Sequence, residues 1–499
     1  MSQRPVLATS VALPPVRPVP VVAFATVRPL VVDLDDTLVR TDTLLEGLLA
    51  LGFRKPLQLP AALLTLRHGR ARFKREVARL AALDCRTLPY DEAVLAAIAA
   101  RQARGGAVHL VTAADQSIAD GVADNLGVFD SASGSDGRNN LKAASKAAHL
   151  AARFPQGFDY IGDSVADLQV WRAAGSAIVA GDAGISRRLE REGLAVETLP
   201  RPRAGVRDWL KALRLHQWSK NALVFIPLLL AQEFFDQAMT VRVVAAFLLF
   251  GMVASGTYLI NDLSDLAADR MHRTKRFRAL PSGLISIRTA LPLAMLLLVG
   301  GLVGGVMLHV SFGMTLLTYA GLTLLYSFRL KQVPLVDVTA IAGLFALRII
   351  AGMVIIDHPV SLWLVTFTMV LFLSLALAKR TSELVQAQQG GRGAVHGRGY
   401  LPGDAPLTLA LGISTGVMSI VVMVLYMSIE AMPTGLYLRN GPLLLIPVVV
   451  LLWVMRIWVL AHRGTLNDDP VVYAIRDRAS WMHAAAVGVM WMLAVVKTP

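Results

Sequence analysis

The sequence predicts two architectures in one chain: an α/β unit on a parallel sheet with a small helical cap, then an all-α membrane domain of about nine spanning helices. Three observations predict them. Hydrophobic residues make up 55% of the 499 positions and charged ones only 17%, with a mean hydropathy of +0.55, far from the usual soluble balance. The apolar excess lies after Pro200, since no earlier stretch approaches the ~20 apolar residues of a spanning helix. Before Pro200, short apolar runs end in Asp-, Thr- or Gly-containing segments, the pattern of buried strands that carry polar groups at a sheet's edge.

Composition also excludes several classes. One cysteine, Cys85, forbids an intrachain disulfide, and the dominance of apolar residues excludes collagenous and disordered chains. A net charge of +14 would suggest nucleic acid in a soluble protein. In a membrane protein, basic loops facing the cytoplasm and its anionic headgroups account for it, so no nucleic-acid partner is predicted.

Residues 1–29 read as a flexible lead-in, because Pro14, Pro15, Pro18 and Pro20 break any apolar helix of a cleaved signal. The α/β unit follows over 30–200. Its first strand, Leu30 with Val31 and Val32, runs into Asp33, Leu34, Asp35, Asp36, Thr37 and Leu38. Two carboxylates two residues apart at a strand's carboxyl end can address one substrate, one attacking phosphorus while the other handles the proton. A second strand over 108–111 ends in Thr112, a hydroxyl suited to a phosphate oxygen. A third over 158–161 ends in Gly162, Asp163 and Ser164, with Asp167 four residues after Asp163, a spacing suited to Mg²⁺ held by carboxylates and water. Lys142 and Lys146 precede that strand and can neutralise substrate charge. Residues 42–104, rich in Leu, Ala and Arg at helical spacing, form the cap. A lone Asp-x-Asp is usually a helix cap or a surface pair, but four such features in order at strand ends argue for chemistry.

Taken in order, these features resemble the haloacid dehalogenase-like phosphohydrolases, whose pattern runs DxDxT, then Thr or Ser, then Lys, then an acidic pair after Gly-Asp. The resemblance covers about 30–200 and implies a Rossmann-like fold, Asp33 as nucleophile and Asp35 as general acid/base. It further implies Thr112 and a lysine as phosphate binders, Lys142 being favoured over Lys146, and Mg²⁺ among Asp33, Asp35, Asp163 and Asp167. A phosphatase-like fold kept as a docking module is the alternative.

A basic linker over 201–220 leads to long apolar segments near 221–233, 241–261, 290–310, 311–328, 334–356, 360–379, 406–429, 441–462 and 481–496. With a cytoplasmic amino-terminal half, every second loop returns to the cytoplasm. Those loops carry Arg270, Arg273, Lys275, Arg276, Arg278, Arg329, Lys331, Lys379 and Arg380 among others, while the opposite loops offer little beyond Arg439. The asymmetry orients the domain in the inner (cytoplasmic) membrane with its carboxyl terminus outside. After the second span stand Asn261, Asp262, Asp265 and Asp269, whose offsets of three and four share one helical face. Three carboxylates in about two turns repel unless a cation joins them, and Mg²⁺ with a diphosphate is the natural guest. Lys275 and Arg278 supply cations for a leaving diphosphate. Tyr326, Lys331 and Asp337 form a second cluster at the same face, and Arg348, three turns into an apolar helix, is expected to face Asp337 or a cavity.

The acidic motif, the Tyr326–Lys331–Asp337 cluster and the nine spans resemble the UbiA-type intramembrane prenyltransferases over about 205–499. The branch most resembled is the decaprenyl-phosphate phosphoribosyltransferases, through residues 213–221, 269–278, 326–337, 379–384 and 468–473. The resemblance implies Mg²⁺ on Asp262, Asp265, Asp269 and Asp337, with substrate bound by Lys220, Asn261, Lys275, Arg278, Tyr326, Lys331 and Arg348. A polyprenyl phosphate in the bilayer would attack C1 of phosphoribosyl diphosphate, and the fused phosphatase would act on the resulting 5-phosphate. The alternative is a prenyl diphosphate donor alkylating an aromatic acceptor, as in quinone synthesis, beside a non-catalytic first unit. A transporter is disfavoured because the acids gather at one membrane face and not at the midplane.

Overall fold

A computed structural model describes residues 27–389, 399–466 and 470–495, and the chain divides into two compact units, the first ending at Arg201 and the second made of the chain from Pro202 on together with Leu48–Lys55 and Thr87–Pro89. Asp468, Asp469, residues 390–398 and the lead-in up to residue 26 lie outside the described residues.

The first unit is built on a six-stranded sheet in which every pairing is parallel, ordered β3-β2-β1-β4-β5-β6. The strands are β1 (Leu30–Val32), β2 (Val108–Asp115), β3 (Ser131–Ser135), β4 (Asp159–Gly162), β5 (Ser176–Ala180) and β6 (Val196–Leu199). Both faces of the sheet are covered, so β1 and β4 are buried at every position, the mark of a central parallel strand. Val31, Phe158, Tyr160 and Trp171 lead the core beneath them. The chain winds outward from β1 in one direction and from β4 in the other. The carboxyl ends of these neighbours therefore flank the crevice where such sheets take their ligands. The region between β1 and β2 is helical as expected, with Thr43–Arg54, Leu59–Leu64, Arg70–Ala81 and Glu92–Ala103. Arg201, expected in the linker, instead closes this unit: its guanidinium is 2.6 Å from Asp91 and also donates to the carbonyls of Asp36 and Thr37.

In the second unit, seven helices among the described residues are long and apolar enough to cross a membrane, against the nine expected. They are Gln237–Ser264, Ile287–Leu308, Val310–Phe328, Val336–Ile355, Leu362–Gln389, Pro402–Thr434 and Pro442–His462. The expected first span is instead a 3₁₀ segment, Leu215–Phe225, followed by a five-residue helix, Ile226–Leu230, with Pro227 in its first turn. Polar His216, Gln217, Lys220 and Asn221 and the proline prevent a continuous apolar helix. The last is a helix, Arg478–Val495, whose first turns carry Arg478, Trp481 and His483 and dilute its apolar run. The 3₁₀ segment lies against Val336–Ile355 so closely that a Cβ on Gly352 would stand 2.3 Å from the Val224 carbonyl oxygen. Only glycine permits that approach, which brings Asn221 beside Arg348. Trp218 anchors the same segment to Gln237–Ser264, its Nε1 donating to Ser255 Oγ at 3.0 Å.

Candidate functional site

In the first unit the acids that follow β1 and β4 meet. Asp33, Asp163 and Asp167 each offer an oxygen within 4.8 Å of the others, forming the metal-capable cluster among the described residues. Asp35 lies outside it, against expectation. One of its oxygens instead accepts from the Thr43 amide at 2.8 Å and the Thr43 hydroxyl at 2.7 Å, which ties it to the start of the helix Thr43–Arg54. The lysine beside the cluster is Lys146, buried and 2.8 Å from Asp33, whereas the favoured Lys142 is exposed. Lys142 precedes the helix Ala144–Arg153, while Lys146 shares a face with buried Leu150 four residues on. That spacing was the available signal. Thr112 sits inside β2, fully buried, its hydroxyl accepting from the Ala114 amide at 3.0 Å.

Two further residues went unrecognised in the sequence. Tyr160 receives a hydrogen bond from Lys146 at 2.9 Å and donates to Asp167 at 2.8 Å, so one hydroxyl orders both groups. Lys74, from the helix Arg70–Ala81, donates to the Ala113 carbonyl at 2.6 Å and to Asn140 at 3.1 Å. Burial pushes the Asp33 carboxyl up to about 6, and Lys146 opposes that rise. Burial likewise carries Asp35 to about 7, with Asp42 adding to it, and Asp163 to about 8, where Asp33 and Asp167 add. Three crowded carboxylates sharing one lysine are under-neutralised, and their hard oxygen donors suit a divalent cation such as Mg²⁺.

In the membrane unit the acids do not converge as expected. The helix that begins at Gln237 ends at Ser264 and a new one starts at Leu266, so Asp265 falls at the break. Asp262 and Asp269 are buried, and Arg278 reaches both, at 4.0 and 3.2 Å. Arg214 adds a second ion pair to Asp262, and Lys275 one to Asp269 at 3.2 Å. Asp265 faces Lys331 at 3.5 Å. Asp337 stands apart from these acids: fully buried, it is held by Arg380 at 3.1 Å and by the Tyr400 hydroxyl at 2.6 Å.

Beside these acids a cavity of about 350 Å³ carries five basic side chains, Arg214, Lys220, Arg348, Lys379 and Arg380. Asn261 and Tyr326 line it as well, and Leu344, Phe345 and Phe372 form an apolar wall. Arg348 thus faces the cavity, the second of its two expected environments, and bonds Asn221 and Tyr319. Asn221, Arg214, Tyr319, Arg380 and Tyr400 are site residues that sequence reasoning missed. A cavity of this lining can hold a strongly anionic group against an apolar chain or ring.

Comparison with known proteins bears on both units. A protein of Sinorhizobium fredii described as uncharacterized protein y4nM is 43% identical over 469 residues, 94% of this chain and 91% of that one, so its likeness extends across both units. The decaprenyl-phosphate phosphoribosyltransferase of Mycolicibacterium smegmatis is 36% identical over 194 residues, 38% of this chain and 61% of that one. Among solved structures, a UbiA homolog from Archaeoglobus fulgidus bound to GPP and Mg²⁺ matches at 17% identity with a TM-score of 0.43, covering 57% of this chain and 99% of that one. Residues 222–491, which hold the acids and most of the cavity, match the model of one family across more than half the chain, and on that match this multipass membrane protein belongs to the UbiA prenyltransferase family.

Proposed function

We propose that the membrane unit transfers a 5-phosphoribosyl group from phosphoribosyl diphosphate to a polyprenyl phosphate, and that the first unit is a haloacid dehalogenase-like phosphohydrolase acting on the 5-phosphate of the product. The observation that carries the transfer is the cavity with five basic side chains beside an apolar wall. A diphosphate, a phosphomonoester and a lipid phosphate together bring more negative charge than a prenyl diphosphate with a neutral aromatic acceptor. Likeness to decaprenyl-phosphate phosphoribosyltransferases supports the same choice.

In this reading an oxygen of the lipid phosphate attacks C1 of the ribose, the bond from C1 to diphosphate oxygen breaks, and diphosphate leaves. Asp262, Asp265 and Asp269 would hold Mg²⁺, which when bound neutralises the departing diphosphate. Arg214, Lys275 and Arg278 rest on those carboxylates and can turn to the diphosphate oxygens. Lys220, over the ring of Phe345, and Arg348 supply positive charge to the remaining phosphates.

In the first unit Asp33 attacks phosphorus and Asp35, able to keep a proton near neutral pH, passes it to the leaving ribose oxygen. Lys146 balances the phosphoryl charge, and water then frees Asp33. Asp33, Asp163 and Asp167 would hold Mg²⁺ there. Covalent tethering keeps this activity at an effective concentration near the millimolar range relative to the membrane product.

The test supplies purified protein with polyprenyl phosphate and labelled phosphoribosyl diphosphate, or with labelled prenyl diphosphate and an aromatic acid, and counts the lipid extract. Label entering lipid from phosphoribosyl diphosphate is the expected result. Label transferred only from the prenyl donor would replace this reading with aromatic prenylation.

A further inference from the structure

Lys142, singled out in the sequence beside Lys146, has no role at the reacting phosphate, where Lys146 stands 2.8 Å from Asp33. A third lysine lies close to Lys142. Lys74 reaches from the helix Arg70–Ala81 to the carbonyl of Ala113, the residue after Thr112, at 2.6 Å. The pairing of β2 with β3 shifts register between Val111 and Asp115, which leaves that carbonyl to side chains, Ser135 Oγ at 2.9 Å being the other donor. The second acceptor of Lys74 is Asn140 Oδ1 at 3.1 Å. Both acceptors are neutral, and among the described residues neither Lys74 nor Lys142 makes an ion pair. Burial lowers the Lys74 ammonium from the usual lysine value; Asp35 opposes that fall, Lys142 deepens it, and Asp42 and Asp33 oppose it. Lys74 thus attends Asp35, the proposed proton donor to the leaving oxygen, as Lys146 attends the nucleophile. Two neighbouring ammonium groups without a carboxylate, beside an amide whose Nδ2 makes no hydrogen bond among the described residues, offer donors and positive charge only. An anion completes such a set.

We propose that Lys74, Lys142 and Asn140 form a second anion subsite on the leaving-group side of the first unit's reacting centre, selecting phosphomonoesters that carry a phosphodiester elsewhere on the same molecule. The proposal rests on the phosphohydrolase reading for the identity of the reacting ester. A phosphodiester brings one negative charge and two free oxygens, which compact ammonium groups and an amide can meet. In the proposed two-step sequence the ribosylated lipid has both groups, the 5-phosphate to be removed and the C1 phosphodiester that joins ribose to the polyprenyl chain. Hydrolysis breaks the bond between phosphorus and the C5 oxygen, that oxygen takes the Asp35 proton, water supplies the oxygen of the released phosphate, and the diester is unaltered. A sugar phosphate with no second anion leaves the two ammonium groups unmatched, so the subsite favours the lipid-linked product over soluble pentose monophosphates.

Two probes test it, methyl riboside 5-phosphate, neutral at C1, and ribose 5-phosphate bearing a methyl phosphodiester at C1. Release of inorganic phosphate by full-length protein in detergent with Mg²⁺ gives kcat and KM for each. Wild type is expected to favour the diester probe in kcat/KM by about tenfold or more, chiefly through KM. Lys74→Met lowers that ratio toward one. Lys142→Glu, which reverses the charge of an exposed side chain, lowers it as well, so the test stands even where Lys74→Met does not fold. A wild type that treats the two probes alike overturns the proposal. So does a folded variant that keeps the wild-type ratio while both rates fall, because Lys74 then only pins its helix to β2. A wild type that releases phosphate from neither probe removes the phosphohydrolase reading, and calorimetry with the same probes then decides the subsite. Tighter binding of the diester probe that Lys142→Glu abolishes keeps it, and equal binding of the two overturns it.

Discussion

Asp262 carries two ion pairs and sits at the level where the family motif leaves the helix, so removing its charge while keeping its shape isolates its electrostatic role. Asp262→Asn is expected to cut transfer at least ~100-fold in the labelled-lipid assay, with the protein still inserted and monodisperse. Turnover near wild type would remove Asp262 from the diphosphate site. In the first unit the sign of the pH dependence follows from burial. Asp35 has an ordinary value of 3.8 and is raised to about 7, so between those values the folded state keeps a proton that the unfolded state has lost. Stability therefore falls as pH rises from about 4 to 7, and Asp33 and Asp163 act in the same direction. In EDTA, amide exchange of β1 and β4 is expected to accelerate between pH 5 and pH 8 beyond its intrinsic rate, and Mg²⁺ is expected to restore protection most at pH 8. Protection independent of both pH and Mg²⁺ would contradict the acidic cluster.

At the scale of elements, the buried Arg380–Asp337 pair joins the helix Leu362–Gln389 to Val336–Ile355, with both side chains at most 1% exposed. Arg380→Ala leaves a buried carboxylate without its counter-charge and is expected to cost about 3 to 5 kcal/mol, whereas Tyr400→Phe removes one hydrogen bond to the same acid and costs about 1 to 3 kcal/mol. Thermal unfolding in detergent checks the order; equal losses would mean that the ion pair is not what joins the helices. The sequence made β1 and β4 legible because central parallel strands read as unbroken apolar runs, here ending in aspartates. Seven spans were legible because hydropathy over a window measures length and apolarity directly. The broken segment over 215–230 was not, since the choice between an α-helix and a 3₁₀ segment depends on packing against Gly352, far along the chain. The long-range polar pairings escaped for the same reason: Arg214 and Asp262 are 48 positions apart, Arg348 and Asn221 127, and no local periodicity couples them.

For the whole molecule, the asymmetry of Lys and Arg between alternate loops predicts that Gly403 faces the cytoplasm and Gly441 the opposite side. Gly403 lies in the first turn of the apolar segment Pro402–Thr434 and Gly441 in the connection after it, and a side chain at either meets open space. With Cys85 replaced, Gly441→Cys in intact cells is expected to react with an impermeant maleimide and Gly403→Cys only after lysis; the reverse pattern would invert the topology. In that orientation the acids and basic cavity of the membrane unit would open to the side where the proposed donor, phosphoribosyl diphosphate, a soluble anion, is available. The two-step account is tested most directly by mass spectrometry of the lipids that wild type, Asp33→Asn and Asp262→Asn make from polyprenyl phosphate and phosphoribosyl diphosphate. Wild type is expected to yield polyprenylphosphoryl ribose, Asp33→Asn to accumulate its 5-phosphate, and Asp262→Asn to yield neither. Identical lipid profiles for wild type and Asp33→Asn would separate the first unit from this product, and the absence of any ribosylated lipid from wild type would contradict the account as a whole.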